Sequence, residues 1–156
     1  TTEGAWTALL ARLNRKEEDM QGRVGVLGHS LGAAVALEFA TRHRVERILL
    51  LSPFTSLRDM ARLVVGWPLC NFLLDRFDNR ASLARLAQSE HPPEFYVFHG
   101  TADPVIPVRM GRELAQQFPD LTQYEDVPNV DHNWIAYARQ ERLLELMRTP
   151  FKVSER

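Results

Sequence analysis

The chain has 156 residues, 45% of them hydrophobic, with 19 Lys and Arg against 20 Asp and Glu for a formal net charge of -1, as expected of one globular domain able to bury a sizeable core. No basic run exceeds Arg15-Lys16, which excludes the clustered positive charge that nucleic acid requires. No stretch approaches the ~18 consecutive apolar residues of a membrane span. The single cysteine, Cys70, excludes an internal disulfide, gives no zinc-ligand spacing and fits a reducing, cytoplasmic compartment.

Taken in chain order, Trp6 to Asp19 is a helix candidate, with Trp6, Leu9, Leu10 and Leu13 on one face. Arg23 to Leu27 reads as a strand and Leu31 to His43 as a helix; a second strand runs from Val45 to Leu51. Ser56 to Val65 and Ala81 to Gln88 are helical, the latter preceded by Asp78-Asn79 as a cap. Phe95 to Phe98 forms a third strand, Val108 to Phe118 a helix ended by Pro119, and 122–126 a fourth strand. A last helix from Asn133 to Met147 stops at Pro150. Strands that alternate with helices and read as near-continuous apolar runs imply an α/β fold. The expectation is three layers, α/β/α, around a mostly parallel sheet of about four strands, in one domain over residues 1–156.

Between the first strand and the Ala-rich helix stands Gly28-His29-Ser30-Leu31-Gly32. A G-x-S-x-G at such a junction places the serine on a turn so sharp that glycine is expected on either side. The turn lifts the hydroxyl out of the sheet, while the helix N-terminus offers backbone N–H groups to developing negative charge. Ser30 is the candidate nucleophile, and the pattern predicts an acid and then a histidine downstream. Asp103 at the end of the third strand and His132 on the loop after the fourth satisfy that order. A parallel sheet carries ligands at just these C-terminal strand ends. Asp126 and Asp131 are rival acids, Asp126 expected to be solvated. Of the other histidines, His29 is expected to pack or hydrogen-bond locally, His99 to be structural, and His43 and His91 to be solvated.

Four ordered motifs carry a resemblance: Gly28–Gly32, then Ser52-Pro53-Phe54-Thr55-Ser56-Leu57-Arg58-Asp59-Met60, then His99-Gly100-Thr101-Ala102-Asp103 with Pro107, then His132-Asn133. From about residue 22 to 147 the chain resembles the C-terminal part of an α/β-hydrolase, of the esterase-like serine hydrolase branch. It departs from that branch at Asp131, where glycine is usual. The resemblance implies Ser30 as nucleophile, His132 as base, Asp103 as the acid that orients it, and the Leu31 N–H as one oxyanion donor. It places the second donor on a loop ahead of the nucleophile strand, for which this chain shows no counterpart. The chain therefore reads as a truncated form or a piece of a longer protein, and the start at Thr1 rather than Met leaves upstream segments open.

The resemblance also makes residues 54–90 a helical, lid-like insertion. Phe54, Trp67 and Trp134 are candidate substrate-binding residues from an acyl pocket, each equally accounted for by plain packing, and Thr55 and Ser56 are expected to cap the following helix. Strand 23–27 would be an exposed edge, hence a route to self-association. The implied activity is cleavage of a small-molecule carboxylic ester or thioester through an acyl-serine, with no cofactor and no metal. The alternatives are a serine exopeptidase of the same fold, or a catalytically silent fragment acting as an interaction module.

Overall fold

The computed structural model describes residues 1–65 and 77–151. Helix α1 (Thr2–Leu13) begins where the Thr1 side chain accepts from the Gly4 N–H. It ends earlier than the apolar pattern suggested, because Asn14 takes the left-handed conformation (φ 50°, ψ 48°) and closes the helix. The charged residues beyond form a separate 3-10 turn, Glu17–Met20. Then follow β1 (Gly25–His29), α2 (Leu31–Ala40), β2 (Arg47–Leu51), α3 (Leu57–Val65), α4 (Asn79–Ala87), β3 (Glu94–Gly100), α5 (Val108–Gln117), β4 (Thr122–Val127), α6 (Ile135–Ala138) and α7 (Gln140–Arg148). Asp78 caps α4 through the Ala81 N–H, as its position before the helix implies. The single terminal helix expected over 133–147 is two, broken at Arg139 (φ −120°), whose guanidinium turns to Glu125 on β4.

All four strands are parallel and lie in the order β1-β2-β3-β4. Alternate residues face opposite layers, as strand geometry requires. Ile48, Leu50, Phe95 and Val97 pack with Trp6, Leu37, Phe39 and Leu83 on the α1, α2 and α4 side. Leu49, Leu51, Tyr96 and Phe98 pack with Ile135, Leu143 and Leu146 of α6 and α7 on the other. The architecture is thus the three-layer α/β/α arrangement, with β2 buried along its whole length. At the N-terminal end of the sheet the buried Arg47 pairs with Glu94 and donates to the Thr149 carbonyl, tying down the chain after α7.

β1 begins two residues later than the sequence pattern suggested and is an edge, paired only with β2. Glu46 N–H donates to the Val24 carbonyl and Ser30 N–H to the Leu51 carbonyl. By the alternation of a parallel ladder, the N–H and C=O groups of Gly25, Leu27 and His29 point away from β2. Leu27, beside Leu49 in register, is 44% exposed. Between α1 and this edge runs an open apolar groove lined by Trp6, Leu9, Val26, Leu27, Val35 and Phe39. Among the described residues no helix is long and apolar enough to cross a membrane.

Candidate active site

Ser30 occupies the turn from β1 into α2 with φ 57° and ψ −122°. A positive φ on a serine is a strained conformation that only a surrounding structure can impose. Here the turn is pinned by the Ser30 N–H bond to Leu51 and by the Ala33 N–H bond to the Ser30 carbonyl, 2.9 and 3.0 Å. Gly28 is obligatory, because a Cβ there would collide with the backbone of Gly32 and Ala33. Gly32 is not: a Cβ at that position meets nothing within 4 Å. The expectation that the turn demands glycine on both sides holds on the strand side alone. Leu31 opens α2 and is 53% exposed; its N–H is one of the helix's first, which have no intrahelical acceptor.

The candidate acid, Asp103, and the candidate base, His132, sit on two loops clamped to each other. Thr101 N–H donates to Val127 O, Ala102 N–H to Val130 O, and Asn129 N–H to the Thr101 hydroxyl, at 3.0, 3.1 and 2.9 Å. Gly100 permits this approach, since a Cβ there would strike the Val130 carbonyl. Asp131 caps the turn beyond, accepting from the Asn133 and Trp134 N–H groups. This is a structural task, and it accounts for an aspartate just before the histidine. His132 Nδ1 then donates to Asp103 Oδ2 at 2.8 Å, with both side chains at most 9% exposed. Asp103 Oδ1 accepts from the Val105 and Ile106 N–H groups, at 2.9 and 2.8 Å.

Burial pushes the Asp103 carboxyl up. The Ile106 N–H, the His132 imidazole and the Val105 N–H outweigh that and hold it below its ordinary value of 3.8. The buried Ser52 hydroxyl adds to this while stopping short of full hydrogen-bond geometry. His132, with its Nδ1 proton committed to Asp103, keeps Nε2 as the atom able to take a proton.

The rival residues have other partners. Asp126 is held by Arg112 at 2.7 Å and by the Tyr124 hydroxyl at 2.5 Å, so it is ion-paired rather than simply solvated. His99 is buried, donates Nε2–H to Ile106 O at 2.9 Å, and is kept neutral chiefly by desolvation. His43 is not solvated: it stacks on Phe39 and its ring nitrogens reach Glu3 and Glu17 at 2.9 and 2.5 Å. His91 is exposed. Phe54 is buried in a cluster with Ala34, Ile106 and Met110, so it is a core residue and no wall of an open pocket. Trp134 is 60% exposed, edge-on to Tyr137. Trp67 lies outside the described residues. Ser56 caps α3 through the Asp59 N–H, and Thr55 bonds Asp59. His29, expected to pack or hydrogen-bond locally, instead bonds through Nε2 to the carbonyl of His132, 103 residues away, and Ser52, read only as the start of a motif, is buried at φ 44° behind Asp103. The motif that begins at Ser52 gives no sign of its place behind Asp103, and His29 is flagged only by standing beside the serine. Among the described residues no group of three or more His, Cys, Asp or Glu could hold a metal ion.

A serine on a strand-to-helix turn at the end of one parallel strand, with an Asp–His pair at the ends of two others, is an arrangement of the α/β-hydrolase fold. The chain belongs to the serine hydrolase family, whose model matches residues 2–132. Two uncharacterised proteins from strains of Mycobacterium tuberculosis are each 36% identical over 112 residues, 71% of this chain. That match spans 38% of their own length. Among solved structures, the esterase domain of a Rhodothermus marinus protein aligns with a TM-score of 0.57 at 15% identity, covering 77% of this chain and 55% of that one. A puromycin-hydrolyzing peptidase of Mycobacterium tuberculosis aligns at 0.62 and 17% identity, over 92% and 23%. The acylaminoacyl peptidase of Pyrococcus horikoshii aligns at 0.63 and 12%, over 86% and 25%. At these identities the structural likeness bears on the fold.

Proposed function

We propose that this chain carries the catalytic site of a serine hydrolase that cleaves carboxylic esters or thioesters. The observation that carries the reading is the buried Asp103–His132 hydrogen bond, together with a serine held at positive φ on a strand-to-helix turn whose preceding residue, His29, bonds the His132 carbonyl. In this mechanism His132 Nε2 takes the Ser30 proton as Oγ attacks the acyl carbon, forming a tetrahedral oxyanion at the Leu31 N–H. The proton then passes from His132 to the departing alkoxide or thiolate as the carbon–heteroatom bond breaks, leaving acyl-Ser30. Water, deprotonated by the same nitrogen, releases the acid and restores the serine. Asp103 stays ionised throughout, stabilising the imidazolium and fixing its tautomer. No cofactor enters this scheme. The exposed Leu31, Val105 and Trp134, each within two residues of a proposed catalytic residue, support an apolar acyl group as the preferred substrate portion. The lone cysteine supports a reducing, cytoplasmic location as part of the same reading.

The test is intact mass after exposure to a fluorophosphonate, with Ser30→Ala alongside. One adduct, lost in the variant, is the expected result. No adduct on a chain whose circular dichroism shows it folded would overturn the reading in favour of a catalytically silent interaction module. Faster turnover of aminoacyl amides than of esters would instead move it to an exopeptidase.

A further inference from the structure

His29 takes no part in the proton transfers above, yet it links the nucleophile turn to the general base. Its Nε2 lies 2.9 Å from the main-chain carbonyl oxygen of His132, and the two imidazole centroids are 4.6 Å apart at 38°. A carbonyl oxygen only accepts, so His29 carries its proton on Nε2. The ring is then a neutral donor with its single N–H committed. Desolvation and the neighbouring His132 both favour that neutral state, against the smaller pull of the carbonyl and of Asp103. Neutrality matters chemically: a second cation here would face the imidazolium that forms at His132 during attack.

The bond also has a geometric consequence. The clamp built from Thr101, Ala102 and Asn129 fastens the histidine loop to the β3 side. It therefore sets the distance from His132 to Asp103. Ser30 sits on the turn that leaves a different strand, β1, and His29, the last residue of that strand, is its immediate neighbour in sequence. A hydrogen bond from His29 to the carbonyl of His132 itself joins the backbones from which the two reacting side chains hang.

We propose that His29 is a positioning residue, which sets the spacing between Ser30 and His132 by donating Nε2–H to the His132 carbonyl. This rests on the hydrolase reading. Asparagine is too short to span the gap, and lysine or arginine would bring the unwanted charge. An apolar side chain would leave a half-buried carbonyl unpaired. Glutamine can place an amide N–H close to where Nε2 lies.

The experiment compares His29→Phe, which keeps a ring but has no donor, with His29→Gln, which keeps a donor but has no ring. The fluorophosphonate inactivation rate constant is expected to fall about ten- to a hundredfold in His29→Phe, the size of effect that a displacement of about 1 Å produces. The reagent's binding constant should not change, and His29→Gln should recover most of the rate. A second readout needs no reaction at Ser30: the downfield proton NMR signal of His132 Nδ1–H on Asp103. That signal should stay sharp in the unmodified chain and in His29→Gln, and broaden or vanish in His29→Phe. Failure of the unmodified chain to label would overturn the hydrolase reading, while the NMR comparison would still decide whether His29 orders His132. Wild-type labelling and an unaltered signal in His29→Phe would overturn the positioning role. So would an equal loss in Phe and Gln variants, since that would assign the effect to the stacked ring.

Discussion

Replacing Asp103 with asparagine keeps the shape of the site and reverses one proton. Oδ1 of Asp103 accepts two backbone N–H groups, from Val105 and Ile106 at 2.9 and 2.8 Å. An asparagine must present its oxygen there, because an NH2 group would face two donors. Its nitrogen is then forced into the Oδ2 position, 2.8 Å from His132 Nδ1. His132 can only accept at Nδ1 from such a neighbour, so its own proton moves to Nε2, the atom the proposed mechanism uses as base. Turnover in Asp103→Asn should fall by ~10⁴, or about 5.4 kcal/mol of transition-state stabilisation. Both backbone bonds survive and one charge-assisted bond is lost, so the stability cost should be about 1.5–3 kcal/mol.

The assay pairs initial rates on an activated ester with a thermal melt, each across pH. Asp103 is held below 3.8 in the folded chain. Its ionised form therefore contributes stability that is present in full above that ordinary value and is lost as pH falls through the lower folded one. Asp103→Asn should lack this acid-side loss. Activity within tenfold of the unmodified chain would refute the argument. Asp126 could not then be invoked as it stands, because Arg112 and Tyr124 occupy it.

Three further outcomes follow from particular contacts. Gly28→Ala should abolish the turn and much of the folded population, since its Cβ meets backbone, whereas Gly32→Ala should fold with an unchanged or slightly raised melting temperature; equal damage from both by calorimetry would contradict the steric assignment. His43, raised above its ordinary 6.5 because Glu17 and Glu3 outweigh its desolvation, should stabilise the docking of α1 fully below that pH and lose this as pH rises through the folded value, a loss that amide exchange in α1 would follow and His43→Phe would remove. The open edge of β1 and the apolar groove beside it should drive concentration-dependent association in light scattering; Leu27→Lys should suppress it, and a monodisperse monomer at high concentration would count against the edge as an interface.

What the sequence made legible was local. The apolar runs of β2 and β3 and the Ala-rich face of α2 named their own elements, because burial on both faces of a parallel strand leaves a continuous hydrophobic signature. The elbow was readable because its sterics sit within five residues, and the strand-end positions of Asp103 and His132 followed from chain order. Contacts between distant segments left no such mark. His43 owes its polar partners to carboxylates 40 and 26 residues away, and the fixed tautomer of His29 to a carbonyl 103 residues on. The spare room at Gly32 depends on what lies beside β1. The breaks at Asn14 and Arg139 lie between these cases. Asparagine's tolerance of left-handed backbone is a local cue that the apolar stripe of α1 outweighs, whereas the pull of Glu125 on Arg139 is tertiary.

These contacts divide the site mechanically. Asp103 and His132 hang from loops joined by three hydrogen bonds at the ends of β3 and β4, which tie the proposed acid and base to each other. Ser30 rides on β1, the edge strand, anchored to β2 through Leu51 and reaching the histidine loop through His29. Within a proton relay built this way the Asp–His distance is the stiff coordinate and the Ser–His distance the soft one. Because catalysis depends steeply on the second, the site's competence should vary more with what touches β1 than with substitutions around the Asp–His pair that leave both side chains in place. The strand that leads into Ser30 is thus also an edge of the sheet, with one side of its backbone unpaired within it. Anything that pairs with its free edge, a second copy included, would act directly on the geometry of the proposed nucleophile.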